Sequence, residues 1–344
     1  MSTFNYQADS TPASDYNGEN TILIVNWINS SGDVAIPPNA FQGLISPSGP
    51  NPPVGSVSLI FENASQPISN TVLINNNAFD NCPSLTSVTF PPSLKIIARE
   101  AFIIPDGTTL GASEGLSTLT FTDIANSKLV SIGDKAFQNQ SNLINITLPK
   151  SLKVIRTSAF ENTGLTTLIF DDIANSQLEE IKSDISSSLN NSSAFQGTNL
   201  TSVILPANLK LIGNNAFSIS SLTSVTFFDT ALSRLDIIYA EAFSGANIGT
   251  IRIPNHITQI GYNAFLGSDG MTVKMNSKVV NTLGIAYSDT TFYGATGVTI
   301  EADENTYEYT PGTSIPTAAP PIGYGGEPTI LVINSPGKII PASA

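Results

Sequence analysis

Cysteine, histidine and tryptophan occur once each in the 344 residues, and methionine three times. A single cysteine excludes an internal disulfide and any cysteine-rich metal centre. A single histidine excludes metal motifs built on histidine pairs. Charge is also scarce: Asp, Glu, Lys and Arg make up 12% of the chain, about half of the roughly 25% of an average globular protein. Ser, Thr and Asn fill the gap. The charge present leans acidic, with a formal net charge of −13. Such a surface repels phosphate backbones and anionic headgroups, so nucleic acid is not expected as a partner. No apolar run approaches the ~18 residues that cross a bilayer, so membrane insertion is not expected either. The opening twenty residues lack a basic segment followed by an apolar run. No secretory signal is visible there, and export stays open. The hydrophobic content of 41% is enough to bury a core over most of the length.

What the sequence does have is a repeat. The dipeptide Ala-Phe ends at Phe41, Phe79, Phe102, Phe137, Phe160, Phe195, Phe217, Phe243 and Phe265, with steps of 38, 23, 35, 23, 35, 22, 26 and 22 residues. The unit is 22 or 23 residues, and the 35-residue steps carry an insert. A degenerate landmark follows at Phe292. After each Phe comes a polar link, then apolar residues spaced as in Leu143, Ile146, Leu148 or Leu200, Val203, Leu205. The last two alternate with polar residues, as on a half-buried strand. Pro149, Pro206 and Pro254 then end the strand, since proline cannot donate to a ladder. A second apolar pair, such as Ile212-Gly213, leads back to Ala-Phe.

A coil of this length cannot bury its own apolar side, so coils must stack. The expected fold is an all-β-leaning solenoid of about ten coils with a parallel sheet, roughly 50 Å long at ~4.8 Å per coil. The landmark phenylalanines should form one buried column.

Segments such as LTSVTFPPSLKIIAREAF, LINITLPKSLKVIRTSAF and LTSVILPANLKLIGNNAF resemble the BspA-like leucine-rich repeat family. The resemblance covers roughly residues 57–300. It implies a leucine-rich-repeat solenoid and a role in binding or adhesion at surfaces, as in microbes, some protists and some large viruses. It implies no enzyme and supplies no catalytic residues.

The plain repeat is interrupted in two ways. The corners FTDIANSKLVSI at 121–132, FDDIANSQLEEI at 170–181 and, weakly, FENASQ at 61–66 replace the proline corner. Their alternation with proline corners suggests a duplicated two-coil unit. Three stretches, Ile45–Gly55, Ile103–Gly115 and Lys182–Ser193, are rich in Gly, Pro, Ser or Asn and read as loops leaving the coil. The chain divides into a polar N-terminal arm at 1–20, the solenoid at 21–302 and a Pro/Gly-rich tail at 303–344. Thr21–Ile28 reads as a capping strand, with Trp27 plugging the first coil. In the tail, Thr329–Asn334 is strand-like and is expected to pair with a sheet edge, in its own chain or, by preference, in a neighbouring copy.

No residue stands out for chemistry. Cys82 matches Gln140, Thr163, Thr198, Ala246 and Ser268 in other coils and reads as a small turn residue. His256 lies beside Pro254 without a second histidine. The pairs Asp171-Asp172, Glu179-Glu180 and Asp303-Glu304 are sequence neighbours at corners, not carboxylates set across a cleft. Catalytic, metal and cofactor sites are therefore not expected. Seven Asn-x-Ser/Thr sequons, at Asn29, Asn63, Asn139, Asn145, Asn190, Asn191 and Asn199, are what a chain so rich in these residues produces by chance.

The outward strand positions form the candidate partner-binding face. One row holds Thr89, Thr120, Thr147, Ile169, Ile204, Thr226 and Arg252, and the other Ser87, Thr118, Asn145, Thr167, Ser202, Ser224 and Thr250. Stacked, they make two nearly uncharged, mostly hydroxyl-bearing ladders. β-Branched threonine also simply suits an exposed strand face. The functional expectation is a non-enzymatic surface recognition or adhesion protein that binds a protein or glycan through this face and the inserted loops. The alternative is a self-assembling subunit of a virion, filament or surface layer, held together by the tail. Either implies a cell-surface, extracellular or virion location.

Overall fold

The computed structural model describes residues 4–9, 21–27, 34–42, 57–62, 71–183, 193–219, 221–275, 299–302 and 332–333. The inserts at 45–55 and 184–192, the landmark Phe292, and most of the tail lie outside them, as does the side chain of Trp27.

The Ala-Phe landmark is a turn that carries its own inter-coil ladder. The Phe160 N–H donates to Ala194 O at 2.8 Å, Phe137 N–H to Ala159 O at 2.8 Å, and Phe217 N–H to Ala242 O at 2.7 Å. The residue before Ala is left-handed in eight of the nine landmarks: Asn39, Asn77, Glu100, Lys135, Ser158, Asn215, Glu241 and Asn263 have φ between 54° and 57°. A second left-handed residue follows the Phe at Asn81, Asn139, Asn162, Gly197, Gly245 and Gly267. These residues turn their peptide groups along the stacking direction. Lys135 N–H reaches Thr157 O of the next coil at 2.9 Å, and Asn139 N–H reaches Glu161 O at 2.9 Å.

The rings do form the expected column. Successive phenylalanines from Phe41 to Phe265 stack with centroids 4.8–5.6 Å apart and planes within 11°. All nine rings are buried, and the paired alanines from Ala78 onward are wholly so.

A left-handed conformation costs a residue with a Cβ about 1–2 kcal/mol. Ser158 adds a fully buried hydroxyl without a hydrogen-bond partner. Ser158→Gly is therefore expected to stabilise the protein by about 1 kcal/mol, once glycine's greater unfolded entropy is counted. Denaturant midpoints would check this, and a destabilised variant would show that the hydroxyl is held by something else.

Each coil contributes to two parallel sheets. The back sheet is continuous over nine coils: Val34–Ile36, Thr71–Ile74, Ile96–Ile97, Ser131–Ile132, Val154–Ile155, Glu180–Ile181, Leu211–Ile212, Ile237–Ile238 and Gln259–Ile260. It is built from the second apolar pair, whose strand character the sequence analysis did not assign. Both sheets and the Phe column enclose one apolar core.

The front sheet is not continuous. Phe4–Asp9, Thr21–Trp27, Val57–Glu62, Leu85–Phe90 and Thr118–Phe121 form its first part. Asn145–Leu148 pairs with Thr167–Phe170, Ser202–Leu205 with Ser224–Phe227, and Thr250–Arg252 with Thr272–Met275. The ladder is missing between Thr118–Phe121 and Asn145–Leu148, between Thr167–Phe170 and Ser202–Leu205, and between Ser224–Phe227 and Thr250–Arg252. The two unbroken ladders expected from the sequence are thus corrected to short ribbons.

Each break follows a wide corner. From Leu148 to Leu152 the chain advances four positions, but from Phe121 to Leu129, Phe170 to Leu178 and Phe227 to Leu235 it advances eight. We attribute the breaks to this added backbone, which holds the next front strand out of ladder register. The third wide corner, FFDTALSRLDII, was not recognised from sequence because it lacks the Ile-Ala-Asn turn. Its geometry matches the second: Asp229 and Asp172 are left-handed at φ 50° and 48°. In all three a buried serine caps the exit. Ser127, Ser176 and Ser233 Oγ accept from the N–H of Leu129, Leu178 and Leu235 at 3.3, 3.4 and 3.3 Å.

Both ends carry strands. Phe4–Asp9, in the segment read as an arm, runs antiparallel to Thr21–Trp27. In the tail, Val332–Ile333 pairs in parallel with Thr299–Ala302 of the same chain. Of the two pairings expected for this strand, this is the one within its own chain.

Candidate functional site

The polar face is carried by the front strands, whose alternate residues turn inward. Leu119, Ile146, Leu168, Val203 and Val225 are buried, and their neighbours turn outward. Thr118, Thr120, Asn145, Ser202, Ser224 and Thr226 are exposed, as are Thr250 and Arg252. Ser87, Thr89, Thr147 and Thr167 are half-buried. Registered pairs bring some together: Thr89 Oγ1 and Thr120 Oγ1 share a hydrogen bond of 2.9 Å, and Asn145 lies opposite Thr167. The breaks keep Thr120 from Thr147 and Ile169 from Ile204 as ladder partners.

Ile169 and Ile204 are the apolar exceptions. They hold the same position in consecutive coils and are 50% and 51% exposed. A large apolar pair amid hydroxyls is a stronger sign of docking than any single exposed isoleucine.

The first break opens a trough of about 500 Å3 on this face. Thr118 and Thr120 form one wall, and Asn145, Thr147, Thr167 and Ile169 the other. Ile124 of the wide corner lies at one end. Beside the trough, sharing Ser117 with it, is a smaller depression bordered by Ala112–Gly115 of the insert.

That insert is stapled down rather than merely looped out. Gln140 Nε2 donates to Phe102 O at 2.6 Å, and its Oε1 accepts from Leu116 N–H at 2.7 Å. Asn142 Nδ2 donates to Gly111 O at 2.9 Å and Glu114 O at 2.6 Å. Asn139 Nδ2 donates to Ile104 O at 2.7 Å and Asp106 Oδ1 at 2.9 Å. From sequence, Asn139 was read only as a sequon and Gln140 only as a turn residue, and Asn142 was not singled out. Gln140 is a long amide where other coils place a small side chain, and that was the available signal.

The remaining sequence candidates have structural roles. Cys82 is buried, and its Sγ donates to Phe41 O at 3.2 Å. Thr163, Thr198 and Ser268 at the same position likewise donate to backbone carbonyls. His256 is exposed at its corner. Asp172 pairs with Lys150 at 2.9 Å, Glu179 with Lys210 at 3.0 Å and Glu180 with Lys182 at 2.8 Å. The Asn139 sequon has its amide engaged, whereas Asn145 and Asn199 are exposed. Asp303 and Glu304, and the sequons at Asn29, Asn63, Asn190 and Asn191, lie outside the described residues.

Among the described acids whose carboxyl is shifted, Glu100 is the one with appreciable burial. Burial pushes its carboxyl up, but hydrogen bonds from Arg99 and Asn77 and the Arg99 charge outweigh this and hold it below the ordinary range. A carboxyl lowered by folding stabilises fully above its unfolded pKa and loses that contribution as pH falls through the folded one. Glu100→Gln is expected to lower stability at neutral pH and to flatten the acid limb below about pH 4.3. Unfolding midpoints at several pH values would check it.

Parallel coils with a front strand, a stacked Phe turn and a rigid polar face define a leucine-rich-repeat solenoid. Residues 60–185 and 173–272 match the BspA type leucine rich repeat region, in 6 copies. The match spans more than half of the chain, which therefore belongs to the BspA-type leucine-rich-repeat family. Among solved structures, a Treponema pallidum leucine-rich repeat protein shares 21% identity at a TM-score of 0.37, over 76% of this chain and 86% of that one. A leucine-rich repeat protein from Eubacterium ventriosum shares 17% at 0.34, over 82% and 74%. The pneumococcal vaccine antigen PcpA shares 17% at 0.31, over 87% and 91%. Similarities of this size say nothing of what the present chain binds. No curated protein matches.

No helix among the described residues is long and apolar enough to cross a membrane.

Proposed function

We propose that this chain is a non-enzymatic recognition or adhesion protein, displayed at a cell or particle surface, that docks a partner on its front strand face. The observation that carries this is the half-exposed pair Ile169 and Ile204 within an otherwise hydroxyl-bearing face. Desolvated apolar anchors inside a polar rim carry most of the energy of a typical interface. The stapled insert beside the face supports the same reading, because loops held on a rigid scaffold commonly set specificity.

The double variant Ile169→Thr, Ile204→Thr turns both anchors into the residue that dominates their row and keeps β-branching. Beads coated with the full chain are tested on epithelial monolayers and on immobilised matrix proteins. Adhesion is expected to fall at least tenfold in the double variant. It should not change in Ile96→Thr, which alters an exposed position on the back sheet. Equal adhesion by all three proteins, or none by the parent, would sink the reading.

The alternative of a self-assembling subunit rests on the tail. It requires Val332–Ile333, which pairs with Thr299–Ala302, to pair instead with a neighbouring copy. Light scattering of the full chain should give a monomer, and a concentration-dependent oligomer lost on truncation at Ile300 would favour assembly.

A further inference from the structure

We propose that the trough between Thr118–Phe121 and Asn145–Leu148 binds an uncharged oligosaccharide. This rests on the front face being a recognition surface, and it names the chemistry of the ligand. The volume of about 500 Å3 falls within the roughly 300–1,000 Å3 usual for small-ligand clefts.

The lining chooses the ligand. It holds hydroxyl, amide and apolar side chains and no charged one. A cationic ligand would be desolvated there without a counter-charge, and so would an anionic one. The net charge of −13 further repels sulfated or sialylated chains at a distance. A neutral sugar ring matches both halves of the lining. Its C–H face can lie on Ile169 and the half-buried Phe121, and its hydroxyl edge can meet the polar wall.

That wall has hydrogen-bonding capacity to give. Thr120 on one side is already bonded to Thr89. Across the trough, no side-chain bond engages Asn145, Thr147 or Thr167 among the described residues. Asn145 is exposed, and Thr147 and Thr167 are half-exposed. All three stand on one hydrogen-bonded ribbon, so their spacing is fixed before a ligand arrives. Asn142 and Gln140 likewise fix the neighbouring insert. Such preorganisation lowers the ordering cost of binding.

The test uses unglycosylated full-length protein and saturation-transfer NMR at millimolar ligand. The probes are cellotriose, maltotriose, mannotriose and lacto-N-tetraose. Sialyllactose, a heparin tetrasaccharide and an uncharged Ser/Thr peptide serve as competing classes. At least one neutral oligosaccharide is expected to bind. Thr147→Val and Asn145→Ala should each weaken it at least tenfold, with unfolding midpoints close to the parent. Failure of every neutral probe overturns the proposal. So does binding that survives both substitutions, or a preference for the charged sugars or the peptide. If adhesion still depends on Ile169 and Ile204 while no sugar binds, the recognition reading stands and this inference alone falls.

Discussion

Phe160→Ala is expected to lower the stability of the solenoid by about 4–5 kcal/mol, near the top of the range for buried phenylalanines. The ring is wholly buried and stacks on both sides, at 5.3 Å on Phe137 and 5.4 Å on Phe195. Truncation removes both ring contacts, each worth about 0.5–1.5 kcal/mol beyond area burial. The surrounding turn cannot collapse into the space, because its backbone is bonded to both neighbouring coils. Phe137 N–H donates to Ala159 O, and Phe160 N–H to Ala194 O. The site is in the middle of the array, where stability is a sum of coil and interface terms. The loss should therefore also split the single unfolding transition into two. Chemical denaturation followed by circular dichroism would show it. An unchanged midpoint would mean that the column is ornamental to stability.

Gly133→Ala should cost about 2–3 kcal/mol. A Cβ there would lie 2.4 Å from the Ala98 carbonyl carbon and 2.6 Å from Arg99 N, both backbone atoms of the preceding coil. No rotamer relieves such a clash, so the coils must part or bend, a cost typical of overpacking. The loss outweighs the ~0.4–1 kcal/mol that Gly→Ala gains by restricting the unfolded chain. Gly249→Ala is the control, since nothing lies within 4 Å of its added Cβ. It should be neutral or slightly stabilising. Equal midpoints for the two variants would show that the coils are less closely packed at Gly133 than the geometry states.

Most of the fold was legible because it is written once per coil. Ala-Phe recurs in phase with the strand and corner residues, and any such phase lock forces stacking. The back sheet was harder to see. Its strands are often two residues long, as in Ile96–Ile97 and Leu211–Ile212, too short to show a period. The left-handed turn positions were hidden for another reason. Glu100, Lys135, Ser158 and Glu241 are not residues that advertise positive φ. Inter-coil hydrogen bonds from the N–H of Glu100, Lys135 and Glu241 to Asp134, Thr157 and Tyr262 O hold that conformation in three of them.

The candidate face divides the same way. Its residue list could be read from alternation along each strand. The trough could not, because it arises from the absence of a ladder between two strands whose own sequences are ordinary. Nor could the stapling of Ile103–Gly115, since Asn139 and Asn142 meet it from 28 to 35 residues away in sequence, and Gln140 bonds its flanks at Phe102 and Leu116.

The sequence alone determined the period, the coil type, the Phe column and which side chains face outward. All of these follow from local spacing and from the need of each coil to bury its apolar side. Only the tertiary structure decided where the front sheet breaks, which polar groups remain open at a break, and where the tail strand pairs. The first two depend on how much backbone a wide corner adds between coils. Each also depends on hydrogen bonds between coils that are neighbours in space but whole repeats apart along the chain.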